Sequence, residues 1–240
     1  MNYNELNFDA MTRERELSIS AAFPVLMRKV YVWMTLALVI TGITAYGVAS
    51  SPGVISALYS NQAIMWGLII AEFALVIGIS AAINRLSLPT ATMLFVLYSA
   101  INGVMLSSVF LIYTASSIAS VFFITAGTFA VMAFIGYTTK TDLTSMGKII
   151  MMALIGLIIA SLVNVFLVKS SGFDLILSYV GVLIFVGLTA YDSQKIKQML
   201  LKAPDAGEGA QKLALLGALS LYLDFINLFI YLLRIFGKRE

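Results

Sequence analysis

The sequence predicts an all-α integral membrane protein with seven transmembrane helices. Of its 240 residues, 60% are hydrophobic and 11% are charged, and the mean hydropathy is +0.97. A typical soluble domain has about 45–50% apolar and about 25% charged residues, so this chain is too poor in charge to cover a soluble surface. Because one membrane crossing takes about 20 apolar residues, the length allows about seven crossings and no large extramembrane domain.

Seven apolar segments follow a polar N-terminal stretch over 1–29, which we expect to be cytoplasmic. Each segment is long enough to cross a bilayer as a helix, which satisfies all its backbone hydrogen bonds internally. The predicted membrane domain covers 30–237, and a short basic tail covers 238–240. The predicted spans are 30–49, 63–83, 88–113, 118–137, 148–168, 173–191 and 212–236.

The segments between these spans contain residues that favour turns and helix caps. Examples are Ser50-Ser51-Pro52-Gly53, Ser87-Leu88-Pro89-Thr90 and Ala203-Pro204-Asp205-Ala206-Gly207. The connection near Thr114–Ser117 is very short, so the third and fourth spans should form an antiparallel pair. We expect a single compact domain.

The distribution of lysine and arginine predicts a cytoplasmic N-terminus, because cytoplasmic loops carry the excess of these residues. Of the fifteen, eleven then lie on the cytoplasmic side and four on the other. The four are Lys169, Arg234, Lys238 and Arg239, so seven full crossings would leave a basic tail on the far side. A last segment that re-enters the same face would instead return the tail to the cytoplasm, and the sequence leaves both arrangements open.

Cysteine and histidine are both absent, which excludes several kinds of site. A disulfide framework, a thiolate nucleophile, a Cys/His zinc or haem site and a Ser-His-Asp triad all need one of these residues. The net charge is only +3, which indicates that the basic residues orient the chain in the membrane and do not bind nucleic acid. We expect no cofactor and no catalytic residues.

Three of the acidic residues inside predicted spans or at their ends stand out, because burying a charge at bilayer depth costs about 2.5–3.5 kcal/mol. Asp224 is near the middle of the last span, and at helical spacing it shares a face with small and polar residues, namely Gly217, Ser220, Asn227, Tyr231 and Arg234. Such a stripe should face protein or water. Asp224 therefore either titrates and contacts ions, or stays neutral and ties helices together by a hydrogen bond.

Asp192 closes the sixth apolar segment, and Glu72 interrupts the second. The helix face of Asp192 carries mostly small or polar residues that permit close packing, namely Ser178, Gly181, Phe185 and Thr189. Asp192 either lies buried or pairs at the interface with Lys195 or Lys197. Glu72 either makes a buried hydrogen bond, with Arg85 just beyond that span as an interfacial anchor, or lines an ion path.

A meeting of Asp192 and Asp224 would create a pH-sensitive pair without histidine. Two carboxylates within hydrogen-bonding distance in a poorly solvated site cannot easily both be ionised, so the pair would share one proton. Full deprotonation would separate the two groups or let them bind a cation, and oxygen ligands suit a hard ion such as calcium.

Several motifs resemble the Bax inhibitor-1 family, and its bacterial members in particular. They are Gly187-Leu-Thr-Ala-Tyr-Asp192, Ser220-Leu-Tyr-Leu-Asp-Phe-Ile-Asn-Leu-Phe-Ile230 with Leu233-Arg-Ile-Phe-Gly237 after it, and Gly136-Tyr-Thr-Thr-Lys-Thr-Asp-Leu143. The resemblance covers nearly the whole chain. It implies a seven-helix fold in the bacterial inner membrane, with the C-terminal helix at the centre of the other six.

The resemblance also implies a function, a pH-sensitive calcium leak controlled by an aspartate pair that maps to Asp192 and Asp224. A basic residue at the end of the second helix latches the pair in some members, and Arg85 is the nearest candidate. Glu72, Asn227 and Arg234 are further candidates for latching or lining a pore. Some bacterial members modulate a membrane-bound AAA protease, which gives an alternative role in binding.

A third hypothesis is an intramembrane aspartyl protease, since such enzymes use two membrane aspartates to activate a water. In those proteases the second aspartate follows a Gly-x-Gly pattern, whereas Asp224 follows Leu221-Tyr-Leu. This departure disfavours the protease, and cleavage of a membrane-span reporter would revive it.

Overall fold

The computed structural model describes residues 3–203 and 205–239, with side chains described from Ala21 onward. In this part of the chain the secondary structure is helical, apart from one isolated β-bridge. The α-helices are α1 (Tyr3–Ala49), α2 (Pro52–Ser60), α3 (Gln62–Ala82), α4 (Leu88–Leu106), α5 (Val109–Ile112), α6 (Ala115–Thr138), α7 (Thr144–Val163), α8 (Ser171–Leu201) and α9 (Glu208–Phe236), with a π-helical turn at Asn164–Val168.

Seven stretches of helix are long and apolar enough to cross a membrane, as the sequence predicts. Two of the spans are composite, because α4 and α5 together cover Leu88–Ile112, and α7 with the π-helical turn covers Thr144–Val168. The other spans are Ala21–Ala49, Gln62–Ala82, Ala115–Thr138, Ser171–Leu201 and Glu208–Phe236. The all-α, seven-span fold class is therefore confirmed.

The N-terminal part of the chain differs from the predicted boundary at residue 30. Helix α1 is continuous from Tyr3, and its side chains are already buried in the bundle before residue 30. Leu26 and Val30 are completely buried, and Met27 is 6% exposed. These residues lie on one face of a helix, so the chain enters the hydrophobic core about two turns earlier than hydropathy alone indicates.

Side chains cap four of the helix starts, and one of them, Ser87, lies in a segment that the sequence predicts to form a turn and cap. The side-chain oxygens of Asn61, Ser87, Thr114 and Ser170 each accept a hydrogen bond from a backbone N–H in the first turn of the following helix. Such caps satisfy N–H groups that would otherwise lack a partner at the helix start. The two helix-opening prolines, Pro52 and Pro89, lie in first turns where no backbone donor is needed.

The C-terminal helix α9 is the most buried of the seven spans. Of its apolar window 67% is buried, whereas the next most buried span, α8, reaches 44%. It packs against α8, α1, α6 and α4. Its placement at the centre of all six other spans stays a prediction.

Glycines allow the helices around α8 to approach closely. A Cβ atom on Gly136 of α6 would overlap the backbone carbonyl of Ala190 in α8. A Cβ atom on Gly181 of α8 would lie 2.7 Å from the ring of Tyr231 in α9. Small residues at these points let the backbones meet, as is typical of membrane helix packing.

The chain beyond α9 contacts the turn between α5 and α6. The backbone N–H of Thr114 donates to the Lys238 carbonyl at 3.1 Å, and the Lys238 N–H donates to the Ser117 hydroxyl at 2.9 Å. At the other end of the bundle, Lys29 of α1 bonds Gln211 of α9 at 2.7 Å. Helix α9 is one unbroken helix of 29 residues, long enough for a full crossing, and its two ends lie at opposite ends of the bundle.

Candidate functional site

Asp224 occupies the core of the bundle. It lies on α9, only 4% of its surface is exposed, and its Oδ2 atom has no hydrogen-bond partner among the described residues. An unpartnered buried polar group costs about 1–3 kcal/mol, so a native structure rarely keeps one without a role. Among the described aspartates, Asp224 is the one whose side chain is buried.

Asp192 lies on α8 beside Asp224, and the two carboxyl groups are close enough to interact electrostatically. The half-buried Asp192 lines a cavity of about 190 Å³ between α3, α8 and α9, whereas Asp224 does not line it. Ser220 of α9 contributes its hydroxyl to the same cavity and lies beside the Asp192 carboxyl group. The structure thus brings the two predicted aspartates together across the α8–α9 contact.

The alternative ion pairs for Asp192 are not formed. The Lys197 ammonium donates to the Tyr137 carbonyl at 2.7 Å and lies 5.0 Å above the centre of the Tyr137 ring. Lys195 lines the cavity with Asp192, but no described lysine nitrogen is within 4.0 Å of the Asp192 carboxylate. Asp192 is therefore a half-buried group that lines a small, mostly apolar cavity together with the polar side chains of Ser80, Lys195 and Ser220.

The described residues contain no cluster of three or more acidic side chains positioned to hold a metal ion. The aspartate pair alone offers up to four carboxylate oxygens, while Ca²⁺ takes 6–8 oxygen ligands. A calcium ion at this pair would keep several waters.

Glu72 belongs to a separate buried hydrogen-bond network. Its Oε1 accepts a hydrogen bond from the Asn102 amide at 3.0 Å, and the Asn102 carbonyl oxygen accepts one from the Tyr222 hydroxyl at 3.1 Å. The Tyr222 oxygen is also 2.7 Å from the Thr41 hydroxyl, which donates to the Ser99 carbonyl at 2.9 Å. This network joins α3, α4, α9 and α1, so the predicted helix-to-helix hydrogen bond of Glu72 is formed.

Sequence reasoning missed three members of this network, namely Thr41, Asn102 and Tyr222. Asn102 could have been recognised as a candidate from the sequence, since it is a strongly polar amide in a mostly apolar span. Tyr222 gave none, because tyrosine is common in membrane helices and only the fold shows that its ring is completely buried between Phe95 and Tyr98.

The other predicted latch or pore residues form no described hydrogen bond or ion pair with either aspartate. Arg85 is exposed in the turn after α3, with no described acidic side chain within 4.0 Å. Asn227 donates to the Leu223 carbonyl of its own helix at 2.8 Å. Arg234 pairs with Asp174 at 3.3 Å and lies 5.5 Å above the Tyr231 ring, at the far end of α8 and α9.

The Gly136–Leu143 stretch attaches the α6–α7 turn to α8 next to Asp192. The side chain of Gln194 donates to the Thr141 carbonyl at 2.8 Å and accepts from the Leu143 N–H at 2.8 Å. Asp142 accepts hydrogen bonds from the Thr144 hydroxyl and the Thr144 N–H, and these hold the pKa of this exposed carboxyl below its usual value. The stretch positions the segment of α8 that carries Asp192.

These features define a multi-pass α-helical membrane protein whose core holds a buried aspartate, Asp224, beside the half-buried Asp192. Its family follows from sequence comparison, because the profile described as "Inhibitor of apoptosis-promoting Bax1" matches residues 24–240. The chain belongs to this family, the Bax inhibitor-1 family.

Relatives match along most of their length. The inner membrane protein YbhL of Escherichia coli K12 is 52% identical over 216 residues, which are 89% of this chain and 92% of that protein. A protein of Borreliella burgdorferi is 46% identical over 97% of this chain and 98% of its own length. A membrane protein of Streptococcus pyogenes serotype M1 is 40% identical over 78% of this chain and 80% of its own. The protein is thus a multi-pass membrane protein of this family.

Proposed function

We propose that this protein is a pH-sensitive calcium leak channel of the bacterial inner membrane, gated by protonation of the Asp192–Asp224 pair and without enzymatic activity. The observation that carries the proposal is the unpartnered Oδ2 of Asp224, buried beside a second aspartate on the neighbouring helix. The chain has no histidine, so a carboxyl pair is the pH sensor that its composition allows.

The physical basis of gating is the repulsion between two carboxylates in a poorly solvated site. A single shared proton joins Asp192 and Asp224 and holds α8 against α9. Loss of that proton leaves two negative charges that repel each other and attract a cation. We therefore expect the calcium flux to rise as the pH rises.

Calcium flux into proteoliposomes with an entrapped indicator, measured between about pH 5 and pH 8, tests the proposal. Asp192→Asn and Asp224→Asn should each flatten the pH profile, because neither amide can carry the shared proton. Asp174→Asn is the matched control, since Asp174 is also on α8 but pairs with Arg234 far from the site. If both site variants keep the wild-type flux and pH profile, the channel proposal is wrong.

A second candidate function is regulation of a membrane-bound AAA protease by direct binding. The observation that favours it is the length of α1, which has 47 residues and spans about 70 Å, far more than one crossing needs. Residues 3–20 of this helix include the charged run Arg13-Glu14-Arg15-Glu16.

Deletion of residues 1–20 separates this second function from the first. Co-purification with a membrane-bound AAA protease should be lost, whereas the pH-dependent calcium flux should be unchanged. If the protease co-purifies equally well with the shortened chain, the N-terminal helix is not the binding element.

A further inference from the structure

A groove on the membrane-facing side of the bundle separates α1 from α6. Helix α9 forms its floor, where Phe225 contacts Phe122 and Phe129 of α6 edge to face. The volume of the groove is about 710 Å³, and its lining is overwhelmingly apolar. A second cavity of about 300 Å³ continues it toward the tail end of the bundle and shares Leu38, Phe122 and Phe225 with it.

The length of the larger groove matches one leaflet of a bilayer. It runs along α1 from Pro24 to Leu38, and fourteen residues of helix rise about 21 Å. One leaflet with its headgroup region is about 20–22 Å thick. Near the outermost turn of this stretch, Phe23 of α1 stacks on Tyr137 of α6 with ring centres 6.3 Å apart.

The headgroup end of the groove carries a positive charge. Arg28 lines it together with Tyr31 and Tyr137, and Arg28 is exposed with no described acidic side chain within 4.0 Å. The two nearby lysines are already engaged, because Lys29 bonds Gln211 and Lys197 bonds the Tyr137 carbonyl. Arg28 is thus the cation that the groove offers to a ligand.

We propose that the α1–α6 groove binds a phospholipid with an anionic headgroup. The headgroup phosphate is held by Arg28 beside the two tyrosines, and an acyl chain lies along the apolar groove toward Leu38. Basic pockets between membrane helices on the cytoplasmic side commonly bind acidic lipids in this way. The small Ala126 and Ala130 beside the large Phe129 give the groove an uneven wall. Such a wall fits a flexible acyl chain better than a rigid helix.

Native mass spectrometry and thermal unfolding with added lipid test the proposal. Phosphatidylglycerol should remain bound and raise the unfolding temperature, whereas phosphatidylcholine and inorganic phosphate should do neither. Arg28→Gln should weaken phosphatidylglycerol binding about fivefold, the contribution expected of one basic residue near an anionic lipid. Arg85→Gln is the matched control, because Arg85 is also an exposed arginine at this end of the bundle but does not line the groove. It should keep wild-type binding.

A substitution that fills the groove distinguishes a bound lipid from general charge attraction. Ala130→Trp should displace the lipid, while Val131→Trp, one residue along on the lipid-exposed surface outside the groove, should not. Equal binding of phosphatidylglycerol and phosphatidylcholine would overturn the proposal, as would an unchanged affinity in both Arg28→Gln and Ala130→Trp. A dimer of this chain that Ala130→Trp breaks would also overturn it, since a second copy would then occupy the groove.

Discussion

Asn102 makes contacts on both sides of its amide group, and so it links three spans. Its N–H donates to Glu72 of α3, and its carbonyl oxygen accepts from Tyr222 of α9. In a membrane core, each group left without a partner costs stability because no water replaces the lost hydrogen bond. The Asn102 side chain is therefore a structural link between the second, third and last spans.

Asn102→Leu should destabilise the protein by about 1–3 kcal/mol, because the buried Glu72 side chain loses the amide that donates to it and the Tyr222 hydroxyl keeps only Thr41 as a partner. Denaturant unfolding in detergent measures the loss. Asn227→Leu is the matched control, since the Asn227 amide bonds only to the backbone of its own helix. A loss in Asn227→Leu as large as in Asn102→Leu would show that the network adds nothing.

Asp142 provides a pH-dependent contribution to stability at the start of α7. Hydrogen bonds from Thr144 lower the pKa of its carboxyl group below the usual 3.8. A lowered pKa means that the stabilisation is fully present above the unfolded-state pKa and is lost as the pH falls through the folded-state pKa. Asp142→Asn should therefore unfold at a slightly lower temperature than wild type above about pH 5, and this difference should shrink below pH 3.8.

Thermal unfolding followed across this pH range is the measurement. Thr144→Val removes the hydroxyl donor but keeps the backbone N–H, so it should reproduce part of the effect. A difference between wild type and Asp142→Asn that stays constant down to the lowest pH would rule out the titration of Asp142.

At the scale of helices, α6 and α8 meet at Gly136. The Ala190 carbonyl fills the place where a Cβ atom would be. Close approach here brings Gln194 against the α6–α7 turn and so positions the half of α8 that carries Asp192.

Gly136→Ala should force α6 and α8 apart and destabilise the protein by about 1–3 kcal/mol, the usual cost of overpacking. Unfolding in denaturant again measures it. Gly127→Ala on the same helix has open space around its new methyl group and should be neutral or slightly stabilising, because alanine favours the helix. Equal stability of the two variants would contradict the close approach.

At the scale of the whole molecule, the hydrogen bonds between the tail and the α5–α6 turn show that these two segments lie at the same end of the bundle. Lys238 lies beside Thr114, and the α6–α7 turn that contains Lys140 is one crossing away. Seven full crossings place Lys140 and Lys238 on opposite faces of the membrane, despite the basic character of the tail.

Lys140→Cys and Lys238→Cys should react with a membrane-impermeant maleimide from opposite sides. The chain has no natural cysteine, so each variant carries a single thiol. The charge distribution further predicts that Lys140 is labelled from the cytoplasmic side. Labelling of both thiols from the same side would support a re-entrant last segment instead.

Much of the fold could be predicted from the sequence because the bilayer imposes a strong and local requirement. Any run of about 20 apolar residues must form a helix that spans it, so composition and hydropathy alone determined the class, the seven spans and the three intramembrane acids. The first span was predicted to start at residue 30, although Leu26 and Met27 are already buried, because their burial depends on contacts with other helices that hydropathy does not record.

Only the tertiary structure decided which polar groups meet. Each acid in an apolar helix needs a partner, but the partner of Glu72 is thirty residues away at Asn102, and their hydrogen bond depends on how α3 packs against α4. The same packing brings Asp192 next to Asp224, while it leaves Arg234 with Asp174 and Arg85 in an exposed turn. The cost of burying charge is a property of each residue, whereas the contacts that offset it depend on the arrangement of the helices.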